Sequence, residues 1–151
     1  EVVAATGAPV YLHPDAEPML HSAEANLSTF AGTPVTAPVP YTPVADGDRL
    51  TLLGREILVY HTPGHADGSV CFHLPAEGVV FTGDALFQGS IGRTDFPGGS
   101  LETLLDGIRR KLLVLPDETR VLAGHMGATT IGRERRTNPF LADGGSVRSV
   151  R

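Results

Sequence analysis

The sequence predicts an α+β domain: a mixed, mainly antiparallel sheet with helices packed on one face. Three observations support this. Apolar runs come in pairs joined by short turns, Leu50 to Leu53 with Glu56 to Tyr60, and Ser69 to Leu74 with Val79 to Thr82. A helical stripe of Leu101, Leu104, Leu105, Ile108 and Leu112 follows these pairs and does not alternate with them. One further apolar run and a short basic helix then complete the pattern. Strand pairs followed by helices build a mixed sheet, whereas strict strand–helix alternation would build a doubly wound parallel one.

In chain order, Glu1 to Gly7 reads as the last turns of a helix closed by a glycine. That beginning in mid-helix predicts that residues precede Glu1 in the natural protein. Pro9 to His13 is a short strand expected to take its own place in the sheet, and Pro14 to Leu27 has room for a short helix. Pro34, Pro38, Pro40 and Pro43 mark a surface loop from Gly32 to Pro43. Asp46-Gly47-Asp48 is a turn signal. The first strand pair turns at Gly54-Arg55 and the second at Pro75 to Gly78. Ser100 is a helix N-cap. Asp117 to Leu122 leads into a strand, and Arg133 to Phe140 forms a basic helix ended by Asn138-Pro139. The domain is expected over residues 1–141, with a flexible tail over 142–151.

With 151 residues, 41% hydrophobic and 19% charged, the chain can bury one ordinary core. A formal charge of −5 argues against nucleic acid or an anionic membrane as partner. No apolar run approaches the length of a membrane span, and no signal peptide is visible, so a cytoplasmic protein is expected. The single cysteine, Cys71, lies in an apolar strand and reads as a small buried hydrophobe.

The chemistry lies at three strand ends. Glu56 to His61 runs into Thr62-Pro63-Gly64-His65, Val79 to Phe81 into Thr82-Gly83-Asp84, and Arg120 to Ala123 into Gly124-His125. Each time an apolar strand stops, a glycine follows, and one metal-capable side chain comes next. A sheet can gather such ends along one edge. Two imidazoles and a carboxylate suit zinc, and also iron or manganese. His61 and His65 are four apart, but Pro63-Gly64 forbids the helix that would pair them on zinc. His61, His13, His21 and His73 are therefore read as ordinary histidines, with His61 near the site.

Thr62-Pro63-Gly64-His65, Thr82-Gly83-Asp84 and Gly124-His125, in that order, resemble the later metal motifs of the metallo-β-lactamase superfamily. The stretches Leu86 to Phe96 and Thr129 to Phe140 are similar to its glyoxalase II-like branch, the hydroxyacylglutathione hydrolases and their small relatives. The resemblance implies an αββα sandwich and two metal ions about 3.5–4 Å apart. It implies that His65 binds the first zinc, His125 the second, and Asp84 bridges both as the catalytic carboxylate. The activity implied is hydrolysis of a small-molecule thioester, such as a hydroxyacylglutathione, by attack of a metal-bound hydroxide. The family's first motif, H-x-H-x-D-H, does not occur in this sequence. The fold is therefore expected without its first strands and with half of the metal ligands, so activity of this chain alone is open. Two alternatives stand beside this reading. One is a persulfide dioxygenase-like mononuclear iron enzyme, which shares Gly92-Arg93-Thr94-Asp95-Phe96; the other is an inactive fragment or interaction module. Substrate-binding residues are unassigned; Arg93, Arg133, Arg135 and Arg136 are the basic candidates for an anionic substrate.

Overall fold

The computed structural model describes residues 2–141; the tail expected over 142–151 lies outside the described residues. Six strands form the main sheet: β3 (Arg49–Leu52), β4 (Arg55–His61), β5 (Val70–Leu74), β6 (Val79–Gly83), β9 (Arg120–Ala123) and β10 (Thr129–Thr130). Their spatial order is β10-β9-β6-β5-β4-β3, antiparallel throughout except for the parallel pair β6–β9. Two small ribbons flank it: β1 (Tyr11–Leu12) with β2 (Thr42–Pro43), and the hairpin β7 (Leu86–Phe87) with β8 (Ser90–Ile91). The helices are α1 (Val2–Thr6), α2 (Glu17–His21), α3 (Leu101–Gly107) and α4 (Ile131–Thr137). No helix among the described residues is long and apolar enough to cross a membrane.

The period-2 pattern decides which face of the sheet is covered. Cys71, Val80 and Val121 point one way and are fully buried against Leu104, Ile108 and Leu112. The stripe is the predicted one except at its start, where Leu101 stays partly exposed. Ser100 accepts the Thr103 N–H and starts α3 as the sequence indicates. Beyond Gly107 the helix widens over Ile108–Leu112, where Leu113 N–H reaches back to Ile108 O (2.9 Å), an i→i+5 bond. The wider turn keeps residues four apart closer to one line, so Leu104, Ile108 and Leu112 all face the sheet. Each such buried side chain contributes about 1.5–3 kcal/mol. On the opposite face, Phe72, Phe81 and Leu122 form a cross-strand row, and Phe81 remains 45% exposed.

Four expectations need correction. The strand at Pro9 to His13 shrinks to two residues and lies outside the main sheet, paired in parallel with β2. Prolines bound it on both sides, and Pro43 has no N–H with which to extend its partner. The loop from Gly32 to Pro43 therefore ends in a strand. The helix allowed for Pro14 to Leu27 is only α2 plus one tight turn at Pro14–Ala16, and Leu27 takes a left-handed backbone (φ 63°) that no helix accepts. The basic helix begins at Ile131, because the Thr130 hydroxyl accepts the Arg133 N–H and caps it.

Burial of His73 in β5, only 6% exposed, pushes its imidazole below the usual histidine value; its Nδ1 lies 3.2 Å from the Tyr60 hydroxyl. The unfolded chain binds a proton here near pH 6.5, while the folded chain waits for a lower pH. The stability associated with a neutral His73 is thus fully present above about pH 6.5 and falls as the pH drops through that value. His73→Leu should flatten this part of the profile. Urea midpoints at about pH 8 and about pH 5.5 check it: the fall on acidification should be larger for the unaltered protein than for the variant.

Candidate functional site

The sheet topology brings the three strand ends together. β4 and β6 are both antiparallel to β5, so they run the same way, and β9 is parallel to β6. His61, Gly83 and Ala123 therefore close their strands at one edge, and His65, Asp84 and His125 follow within a few residues. Asp84 sits at the centre. Its Oδ1 lies 2.8 Å from His125 Nδ1, and its Oδ2 lies 3.6 Å from His65 Nε2. His65 and Asp84 are half-buried, whereas the His125 side chain is 72% exposed.

Local backbone fixes each position. Gly64 takes φ 121° and passes so close to α3 that an added Cβ would lie 2.6 Å from Leu104 N and from Ser100 O. Its carbonyl accepts the Ser100 N–H (2.8 Å), which ties the His65 loop to the start of the helix. Two further glycines close around Asp84. A Cβ on Gly92 would lie 1.9 Å from the Asp84 carbonyl oxygen, and one on Gly124 would lie 2.5 Å from Asp84 Oδ1. A side chain at Gly92 would displace the Asp84 backbone, and one at Gly124 would displace its carboxylate.

His65 Nδ1 is 2.8 Å from the Arg93 carbonyl oxygen. A carbonyl only accepts, so Nδ1 carries the proton and Nε2 keeps its lone pair, directed to the Asp84 side. That hydrogen bond is the role the structure gives to Arg93. Its guanidinium is taken up by Asp95 (2.7 and 2.6 Å), whose carboxyl it holds down at about 2, and it stacks over Phe96 at 4.0 Å. Arg135 donates to Leu113 O and Leu115 O and pairs with Asp117, and Arg136 pairs with Asp117 at 2.8 Å. These arginines hold α4 to the end of α3 and are not directed at the trio. Arg133 is exposed on α4.

A cleft of about 450 Å³ opens beside His65. Met19, Leu27 and Phe96 give it apolar walls, and Asp15, Glu24 and Asp67 give it carboxylates; no arginine or lysine lines it. The sequence offered no signal for this cleft, since its walls come from separate segments.

His13 and His61 lie together away from the trio, and His21 is exposed at the end of α2. His13, Asp15 and His61 each bring one donor atom within 4.8 Å of the others. The two imidazoles are stacked, with centroids 3.9 Å apart and planes 10° apart. A metal ion lies in the plane of each ring that binds it, so one ring would have to turn before both could hold the same ion. His61 Nε2 is already engaged with Asp67 O (2.7 Å), and His13 Nδ1 with the Asp15 N–H (3.3 Å). Cys71 is sealed in the core beside Thr62, and burial pushes its thiol up to about 12, far from a nucleophile's range.

Comparison with known proteins places this architecture. Residues 1–125 match the model of the metallo-beta-lactamase superfamily. The chain is 52% identical over 96 residues to hydroxyacylglutathione hydrolase GloC of Haemophilus influenzae, covering 64% of this chain and 45% of that one. It is 44% identical over 135 residues to a probable metallo-hydrolase, YqgX, of Bacillus subtilis, covering 88% and 64%. Such curated relatives are longer, and the chain spans between 39% and 65% of their length. Among solved structures, BLEG-1 B3 metallo-beta-lactamase superposes with a TM-score of 0.88 at 42% identity, covering 93% of this chain and 68% of that one. TTHA1623 in a di-iron-bound form gives 0.79 at 44%, with coverage of 93% and 68%. ETHE1 from Myxococcus xanthus gives 0.65 at 32%, with 91% and 65%. The mixed α+β architecture is the metallo-β-lactamase fold, and the chain belongs to the metallo-β-lactamase superfamily.

Proposed function

We propose that the chain is part of a metal-dependent thioester hydrolase, with His65 and His125 each holding one ion and Asp84 bridging both. The observation that carries this is the placement of Asp84, with one carboxylate oxygen toward each imidazole. Two donors sharing one tetrahedral ion, with bonds of about 2.1 Å, stand roughly 3.4 Å apart. The 3.6 Å between His65 Nε2 and Asp84 Oδ2 fits that spacing. The 2.8 Å between His125 Nδ1 and Asp84 Oδ1 must open by several tenths of an ångström, and the exposure of His125 leaves it free to do so. Nitrogen and oxygen donors of this kind suit zinc, iron or manganese.

A bound divalent ion supplies an activated water at neutral pH and a positive charge for a carbonyl oxygen. The chain's own residues supply the rest. The Arg93 carbonyl keeps His65 in the tautomer whose Nε2 can act as a ligand. Gly92 leaves room for the Asp84 backbone and Gly124 for its carboxylate, which lies between the two imidazoles. The cleft beside His65 offers apolar walls to an acyl or thiol group. The likeness to a hydroxyacylglutathione hydrolase supports a thioester as substrate.

A second reading, a mononuclear iron enzyme like a persulfide dioxygenase, is favoured by the Gly92 to Phe96 stretch and by the likeness to ETHE1. Metal content separates the two readings, two ions against one iron.

Within the 151 residues each ion would have two protein ligands, His65 with Asp84 and Asp84 with His125, fewer than the three or four that usually hold zinc. The chain alone should therefore bind zinc weakly and hydrolyse thioesters slowly or not at all. Joined to a relative's segment that carries H-x-H-x-D-H, it should bind two ions and hydrolyse a glutathione thioester. Asp84→Ala in that longer protein should remove most of the activity, on the order of 10²-fold or more, since it breaks both ligand sets. Metal analysis and thioesterase assays check this; full activity in Asp84→Ala removes the bridging role. Gly124→Ala should displace the same carboxylate, lowering zinc occupancy while the far-ultraviolet circular dichroism stays that of the folded chain.

A further inference from the structure

Glu134 is fully buried in α4, and both of its oxygens are used. Oε2 accepts the Gly89 N–H (2.8 Å) and the Asn138 side-chain amide (2.9 Å); Oε1 accepts the Thr129 hydroxyl (2.6 Å). Gly89 forms the turn of the β7–β8 hairpin, which starts two residues after Asp84. Thr129 opens β10, four residues after His125. The chain leaving Asp84 and the chain leaving His125 thus end on one carboxylate. Asn138 adds a second tie to the same hairpin, donating to Ser90 O at 3.0 Å.

A hydrophobic side chain would fill this volume but leave the donors unpaired, and an amide offers only one oxygen. A buried carboxylate is costly unless its hydrogen bonds are complete, as they are here. We propose that Glu134 is a positioning residue for the Asp84–His125 pair, holding the two following loops in the register that keeps the His125 imidazole beside the Asp84 carboxylate; in the metal-free chain that register shows as the 2.8 Å contact of His125 Nδ1 with Asp84 Oδ1. This deepens the functional reading above, because that pair is the proposed bridge and second-ion ligand. The geometry it predicts exists without metal and is measured without it.

A carboxylate only accepts, so the 2.8 Å contact with Asp84 Oδ1 selects Nδ1–H over Nε2–H in a neutral, metal-free His125. Nitrogen-15 NMR of the histidine-labelled, metal-free chain reads that form directly. The unaltered protein should hold His125 mainly as Nδ1–H. In Glu134→Gln the tautomer ratio should move at least threefold toward Nε2–H. Thr129→Val should move it the same way, and Thr129→Ser, which retains the hydroxyl, should restore it. Val59→Ala, a core change outside this network, should lower the melting temperature and leave the ratio alone. An unchanged ratio in folded Glu134→Gln or Thr129→Val overturns the proposal, as does an equal change in Val59→Ala. Zinc titration of the unaltered chain against Asp84→Ala tests the metal reading separately. Equal zinc binding by the two would sink that reading and leave the tautomer result standing.

Discussion

The parallel pairing of β6 with β9 in an otherwise antiparallel sheet is the constraint on which the rest of the site depends. Neighbours in a parallel pair end on the same side, so Gly83-Asp84 and Gly124-His125 leave the sheet next to one another. Gly124 N–H donates to Gly83 O at 2.8 Å and fixes that adjacency. The antiparallel steps through β5 return β4 to the same direction and bring His65 to the same edge. Had β9 run the other way, His125 would sit at the far end of the sheet, and no side-chain movement could recover the trio. A parallel neighbour needs a long crossover, and α3 with its widened last turn supplies it. The core stripe of Leu104, Ile108 and Leu112 is the packing of that crossover onto the sheet.

Side-chain contacts then refine what topology sets. Close glycines leave room for Asp84, a carbonyl orients His65, and Glu134 joins the loops beyond Asp84 and His125. Both helices therefore serve the site: α3 receives the His65 loop at Ser100, and α4 brings in the buried carboxylate. The arginines around α4 belong to this scaffold. Arg135 and Arg136 meet Asp117, which precedes β9, and so hold the helix beside the strand that carries His125.

Much of this was legible from residue order. Apolar runs ending in glycine and a metal-capable residue marked the three strand ends, because a strand and a sharp turn each have strong local signals. The Leu101 to Leu112 stripe and its Ser100 cap were equally plain. Two-residue strands were not: β2, β7, β8 and β10 are too short for alternation to show, and tertiary contacts define them. Glu134 stands among Arg133, Arg135 and Arg136, a pattern that reads as a solvated surface; only the fold shows that it faces inward. The stack of His13 on His61 joins segments 48 residues apart in sequence and leaves no local trace. The carboxylate lining of the cleft was hidden for the same reason, since its walls come from separate segments.

His65, Asp84 and His125 are the proposed metal-holding set. Diffraction at the zinc absorption edge, from crystals of the chain grown with zinc, locates bound ions directly. The account predicts anomalous density beside Asp84, between its carboxylate and His65 or His125. Density at His13, Asp15 and His61, with none beside Asp84, would contradict it.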